Sequence, residues 1–154
     1  MPPRWRRYIY IAMSDPVVKI TRTFDAIPEL VFDAWLDAAA LEKWMFGPAV
    51  RDEEIVRLEL EPKVGGKFSF LVRRQGEEID HIGRYLEIDS PRRLVFTWGI
   101  VGSDSSTVAV EIAGDDKGCE LILTHFLHPD WADYVERTRQ GWTFMLGKLA
   151  EALR

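Results

Sequence analysis

The sequence predicts an α+β domain in which an antiparallel sheet of about seven strands packs against one long C-terminal helix, with two short helices after the first strand. Three observations carry this expectation. Residues 130–153 repeat apolar side chains with helical spacing almost from end to end. Residues 53–126 repeat them with a period of two, as strands do. The segments joining those strands are too short for crossover helices, so neighbouring strands pair antiparallel.

The chain opens with Arg4, Arg6 and Arg7 ahead of a short apolar run, Tyr8 to Met13. That run is too short for a secretory signal and no small-residue cleavage site follows it. Residues 1–16 are therefore expected to form a flexible extension, with Met13 an alternative first residue, and residues 17–154 a single domain. Val18, Ile20, Arg22 and Phe24 then alternate with Lys19, Thr21 and Thr23, which predicts a strand. Arg22 shares the apolar face, so its guanidinium must be paired or reach water. Snorkelling at the sheet end is favoured over a ligand contact.

Pro28 suits the first turn of a helix carrying Leu30, Val31, Ala34 and Trp35. Asp37 is placed to cap a second short helix with Leu41, Trp44 and Met45, which Gly47 and Pro48 end. Next come six strands. Val56, Leu58 and Leu60 are expected on one face of the first, and Phe68, Phe70 and Val72 on one face of the second, joined by a Val64-Gly65-Gly66 turn. Gln75-Gly76 turns the chain into residues 78–88, and Ser90-Pro91 breaks it before Leu94, Phe96 and Trp98. A loop over 99–106 leads to strands 107–112 and 119–126. In the long helix, Trp131, Val135, Thr138, Trp142, Met145, Leu146, Leu149 and Leu153 form the apolar stripe, with Asp130 as the N-cap. At 1.5 Å per residue it would run about 34 Å, enough to cross a small domain. Gly141 and Gly147 inside it suggest close approach of another group, or local flexibility. Phe144 projects away from the stripe; a lone exposed phenylalanine is ordinary, and cover by residues 5–11 or by a second subunit is the less favoured reading.

Composition narrows the function. With 154 residues, 47% hydrophobic and 29% charged, the chain is ordinary for a globular domain. A formal charge of −5 disfavours nucleic-acid binding, and no run approaches the length of a membrane span. Cys119 is the only cysteine, so no internal disulfide forms, and a reducing cytoplasm suits this usage. No metal is expected, because no histidine has ligand spacing with another histidine, cysteine or carboxylate. No nucleophile elbow, phosphate loop or dinucleotide fingerprint occurs, and no cofactor is expected.

Several segments together resemble the START-like helix-grip superfamily, and within it the group related to the C-terminal domain of the Hsp90 ATPase activator. They are Ile20-Thr21-Arg22 leading into Ala26-Ile27-Pro28-Glu29, Trp44 with Gly47-Pro48, Val64-Gly65-Gly66-Lys67-Phe68, Gly83 with residues 88–98, residues 121–125, and Gly141-Trp142 with Leu146 and Leu149. The resemblance implies a curved sheet gripping the long helix around a hydrophobic cavity whose mouth lies near the short helices and strand loops. It does not imply one function, because the superfamily hosts lipid carriers, polyketide cyclases, hydrolases and co-chaperones.

The residues expected around this cavity are Trp44, Met45, Phe68, Phe70, Tyr85, Phe96, Trp98, Val108, Val110, His125, Trp142, Met145 and Leu146. Tyr85 and Trp98 join polar handles to large apolar bodies, although core packing explains them equally well. His125, His81 and Glu87 are the weak catalytic candidates. For the histidines, a ring satisfied by a structural partner is the favoured reading. Glu87 would face inward with Tyr85 unless a bulge intervenes. The expected function is therefore binding of a small apolar or aromatic molecule, by a monomer or weak homodimer. One alternative is an enzyme resembling polyketide cyclases or hydrolases in the same cavity. The other is an Hsp90 co-chaperone; it is disfavoured because the chain is too short for the activator's additional N-terminal domain.

Overall fold

The computed structural model describes residues 16–154; the expectations placed on residues 1–15, including cover of Phe144, lie outside the described residues. The elements run β1 (Val17–Phe24), α1 (Pro28–Asp33), α2 (Ala38–Trp44), β2 (Glu54–Leu60), β3 (Lys67–Arg74), β4 (Glu77–Asp89), β5 (Arg93–Ile100), β6 (Ser106–Asp115), β7 (Gly118–Phe126), a 3-10 segment (Pro129–Tyr134) and α3 (Val135–Ala152). All seven strands form one antiparallel, curved sheet in the order β1-β7-β6-β5-β4-β3-β2. This is the helix-grip α+β architecture that the sequence predicts.

Local chemistry sets most boundaries. Pro28 occupies the first turn of α1, and the Asp37 carboxylate accepts the Ala39 N–H at 3.3 Å to cap α2. Gln75 and Gly76, with φ of 52° and 81°, make the tight β3–β4 turn that positive φ at both central residues allows. The register then sorts side chains by face. Leu94, Phe96 and Trp98 of β5 lie opposite Val110, Val108 and Ser106 of β6, which lie in turn beside Leu123 and His125 of β7. This concave face receives Trp142, Leu146 and Leu149 of α3 and Val31, Phe32, Trp35, Leu41 and Trp44 of the helical insertion, in one apolar cluster.

Two bulges break the simple alternation. In β2 the register shifts between Ile55 and Arg57, so Ile55 pairs with inward Val72 while Val56, expected inward, is 42% exposed. In β4 the shift lies between Tyr85 and Glu87. Tyr85 pairs with inward Phe96, but Glu87 pairs with Val95, which packs with Ala109 and Leu86 on the opposite face.

The long helix also differs from expectation. Residues 129–134 form a 3-10 segment with a kink at Trp131 and no buried residue, so α3 proper starts at Val135. Asp130 does not cap it; His128 is the N-cap of the 3-10 segment, its Nδ1 accepting the Asp130 N–H at 3.2 Å. The non-helical backbone at Trp131 separates the two segments and shortens the helix by more than a turn. Gly141 has open space where a Cβ would stand, so close approach is not its reason. Phe144 is 49% exposed, with the Lys148 ammonium 5.7 Å from its ring centroid. Among the described residues, no helix is long and apolar enough to cross a membrane.

Candidate functional site

Curvature of β3, β4 and β5 gathers their inward aromatics into a continuous wall. Phe68 stacks on Phe70 at 4.6 Å, Phe68 and Phe96 each lie about 6 Å from Trp98, and Trp98 reaches Trp142 of α3 at 5.6 Å. Phe46, following α2, closes the other flank against Phe70 and His81. Inside this wall remains a space of about 10 Å³ bordered by Trp35, Leu41, Met45, Phe68, Phe70, Tyr85, Leu94, Phe96 and Trp98. That is roughly one water's volume, far below the several hundred Å³ of a ligand pocket. The interior is thus almost filled by its own rings, and Trp98 is the member of the wall that partly reaches solvent.

Gly83 makes this packing possible. A Cβ there would stand 2.0 Å from the Thr97 carbonyl oxygen and 2.3 Å from Phe68 Cζ, so the Phe68 ring occupies the volume that a side chain would take. Gly83→Ala should overpack the wall and destabilise the fold by about 3 kcal/mol. Urea denaturation checks this, and an unchanged midpoint would mean that the strands part easily here.

His81 faces inward, opposite Phe70 and tilted against the rings of Phe46 and Trp98. Its Nδ1 lies 3.0 Å from the Phe70 carbonyl, which can only accept, so Nδ1 carries the proton and Nε2 keeps a lone pair. Burial chiefly, with opposing and reinforcing charges around it, holds its pKa below the usual histidine value. The ring is a neutral acceptor set in an aromatic frame.

His125 is 3% exposed and committed at both nitrogens. Trp142 Nε1–H donates to Nδ1 at 3.0 Å, so the proton sits on Nε2, which donates to Ser106 Oγ at 2.6 Å; the Ser106 hydroxyl donates to the Trp98 carbonyl at 3.0 Å. This chain of bonds joins α3 to β7, β6 and β5. It leaves His125 no lone pair for acid–base work, in keeping with the structural partner favoured from sequence. Burial depresses its pKa to about 4. The unfolded chain, with an ordinary histidine near 6.5, takes up a proton that the folded ring refuses. The stability this group contributes is whole above pH 6.5 and is lost as pH falls toward 4, by up to about 3 kcal/mol at 1.4 kcal/mol per unit. Denaturation at pH 7, 5.5 and 4.5 should show this slope, and His125→Gln should flatten it; His81 contributes in the same direction.

Glu53, between α2 and β2, was not foreseen. Its side chain is fully buried, accepting Gly47 N–H at 2.8 Å, Arg51 Nη1 at 3.0 Å, and Arg74 Nη2 and Nε at 2.7 and 3.0 Å. Desolvation raises its pKa, yet the Gly47 amide and the two guanidiniums together outweigh it, and the carboxyl stays ionised below its usual range. The cluster fixes the 47–53 loop beneath Phe46. The acidic run Asp52-Glu53-Glu54 is visible in sequence, but only the tertiary meeting with Arg74 distinguishes its middle member.

Of the expected cavity residues, Met45, Phe68, Phe70, Tyr85, Phe96 and Trp98 border the remaining space. Trp44, Val108, Val110, His125, Trp142 and Leu146 are buried behind them in the packed core, and Met145 packs at its edge. Trp35, Leu41 and Leu94 are lining residues that the sequence reading left out. Glu87 lies on the opposite sheet face, 3.2 Å from Arg93, because of the β4 bulge; it cannot act on anything in the interior. Arg22 faces inward near the end of α3, half-buried. His128 stands 3.7 Å from Asp104 and 3.5 Å from Asp130, an exposed group that sequence spacing could not foresee because Asp104 comes from a distant loop.

Residues 25–154 match the family described as activator of Hsp90 ATPase homolog 1-like protein. The chain belongs to this family. Among solved structures it is similar to protein CV1439 from Chromobacterium violaceum, with 26% identity and a TM-score of 0.79 over 90% of this chain and 96% of that one. It is also similar to protein NE0264 from Nitrosomonas europaea, with 18% identity and a TM-score of 0.77 over 92% and 95% of the two chains. A protein from Rhodobacter sphaeroides shares 22% identity and a TM-score of 0.77 over 90% and 92%. These last two likenesses speak to the fold alone. No curated protein matches the chain.

Proposed function

We propose that this member of the family binds a small, flat apolar or aromatic molecule on the concave face, admitted when Trp98 swings out of the aromatic wall. The observation that carries this reading is the apolar space bordered by the aromatic wall and lined by a ring, Trp98, that partly reaches solvent. Ligand sites are mostly apolar with few polar groups, and here the Tyr85 phenol and the indole N–H groups of Trp35 and Trp98 are the polar groups of the bordering residues. Stacking of the ligand on Phe68 and Phe70 would replace the contact that Trp98 gives up. Acid–base catalysis would fall to His81 alone, because His125 has no free lone pair and Glu87 faces away.

Titration with flavonoid-like aromatics, polyketide-like aromatics and fatty acids, followed by tryptophan fluorescence and melting temperature, tests the reading. Saturable 1:1 quenching with a rise in melting temperature is expected for at least one aromatic class. No stabilisation by any class would refute it. The nearly filled interior favours one second reading, a role in protein interaction of the kind the family description names, with Hsp90 as the partner. A pull-down and ATPase assay with the cognate Hsp90 tests that reading, and absence of binding would end it.

A further inference from the structure

Trp35 is 4% exposed, yet its indole N–H has no acceptor within hydrogen-bond distance among the described residues. Buried indole donors almost always find a partner, since an unmet one keeps its full desolvation cost. Its neighbours follow that rule. Trp44 Nε1 donates to the Ala34 carbonyl at 3.0 Å and Trp142 Nε1 to His125 at 3.0 Å. Around Trp35 stand the rings of Trp44 at 4.7 Å, Trp142 at 5.9 Å and Phe96 at 6.1 Å, and a ring face is a weak acceptor. Trp35 also borders the space beneath Trp98. A binding site that discriminates by a polar group needs one fixed donor in an apolar wall, and Trp35 has that form.

We propose that Trp35 selects the ligand, its Nε1–H donating to a neutral carbonyl oxygen on an otherwise apolar, flat ring system such as a cyclic aryl ketone. The proposal rests on the apolar-ligand reading above. A carboxylate is excluded because no cationic side chain borders the space to compensate a buried charge. An ammonium would bring donors where an acceptor is wanted. A plain hydrocarbon fits the rings but leaves the indole donor unmet, so it binds more weakly than its ketone.

The matched probes indane and 1-indanone test this on the full chain, by calorimetry and by the indole N–H signals in 1H–15N spectra. In the unsubstituted protein the ketone should bind about ten- to a hundred-fold tighter than the hydrocarbon, and the Trp35 N–H signal should move downfield with the ketone only. Trp35→Phe should bring the two affinities to near equality, whatever the smaller ring does to the affinity for indane itself. A preference that survives in Trp35→Phe, or a Trp35 signal that ignores the ketone, would overturn the assignment while leaving the apolar site standing. If the Phe variant fails to fold, the Trp35 signal of the unsubstituted protein decides alone. If neither probe binds, the apolar-ligand reading itself falls, and the assignment with it.

Discussion

Trp142→Ala is expected to cost about 3–5 kcal/mol of folding stability, the range for deleting a large buried ring that its surroundings cannot refill. The ring is 3% exposed and packs against Trp35, Trp98 and His125 at once. It is also the donor that fixes the His125 tautomer, so its loss unfastens α3 from the sheet. Trp142→Phe separates the two contributions: it keeps most of the apolar contact but strands His125 Nδ1, and should cost about 1–3 kcal/mol. Urea denaturation of both variants measures the difference. Equal costs would mean that packing alone matters and that the hydrogen bond adds nothing.

Glu53→Ala is the second large effect, expected at about 3 kcal/mol, the lower end for breaking a buried ion pair. The lower end applies because Arg51 and Arg74, at 26% and 35% side-chain exposure, can turn toward water once their partner is gone. The Gly47 amide loses its acceptor at the same time. Because the folded carboxyl is held below its ordinary value, its stabilisation is present above the unfolded value, near 4.3, and is lost as pH falls through the folded one. This window lies below that of His125, so the two acid transitions separate. Glu53→Ala should remove the lower and leave the upper. Since Phe46 follows α2 and packs at a tilt against His81, the same variant should also loosen that flank of the aromatic wall, readable as faster hydrogen exchange over residues 45–53.

The strand order, the helical insertion and the inward parity of β1, β5 and β7 were legible because each is written in local pattern: period two, Pro28, Asp37 and the Gly65-Gly66 turn. What the pattern could not carry were the bulges. The extra residue in β2 turns Val56 outward and Ile55 inward while Leu58 and Leu60 keep the expected face, and the one in β4 carries Glu87 to the face opposite Tyr85, the exception that the alternation left open. The kinked entry of the long helix was hidden because Trp131 keeps the helical spacing although Pro129 leads into a 3-10 turn. The site was half legible. Phe68, Phe70, Tyr85, Phe96 and Trp98 follow from alternation, whereas Trp35 reads as one more apolar residue of a short helix, and only the structure reveals its orphaned donor. Glu53 and Ser106 depend on partners far along the chain, Arg74 and His125, and spacing is blind to both.

A crystal structure of the protein grown with 1-indanone tests the central claim most directly. The account predicts ligand density between Phe68, Phe70 and Trp35, the Trp98 side chain rotated outward, and the Trp142–His125 bond unchanged at about 3.0 Å. Density confined to the outer surface, with Trp98 in place and the interior still filled, would contradict it.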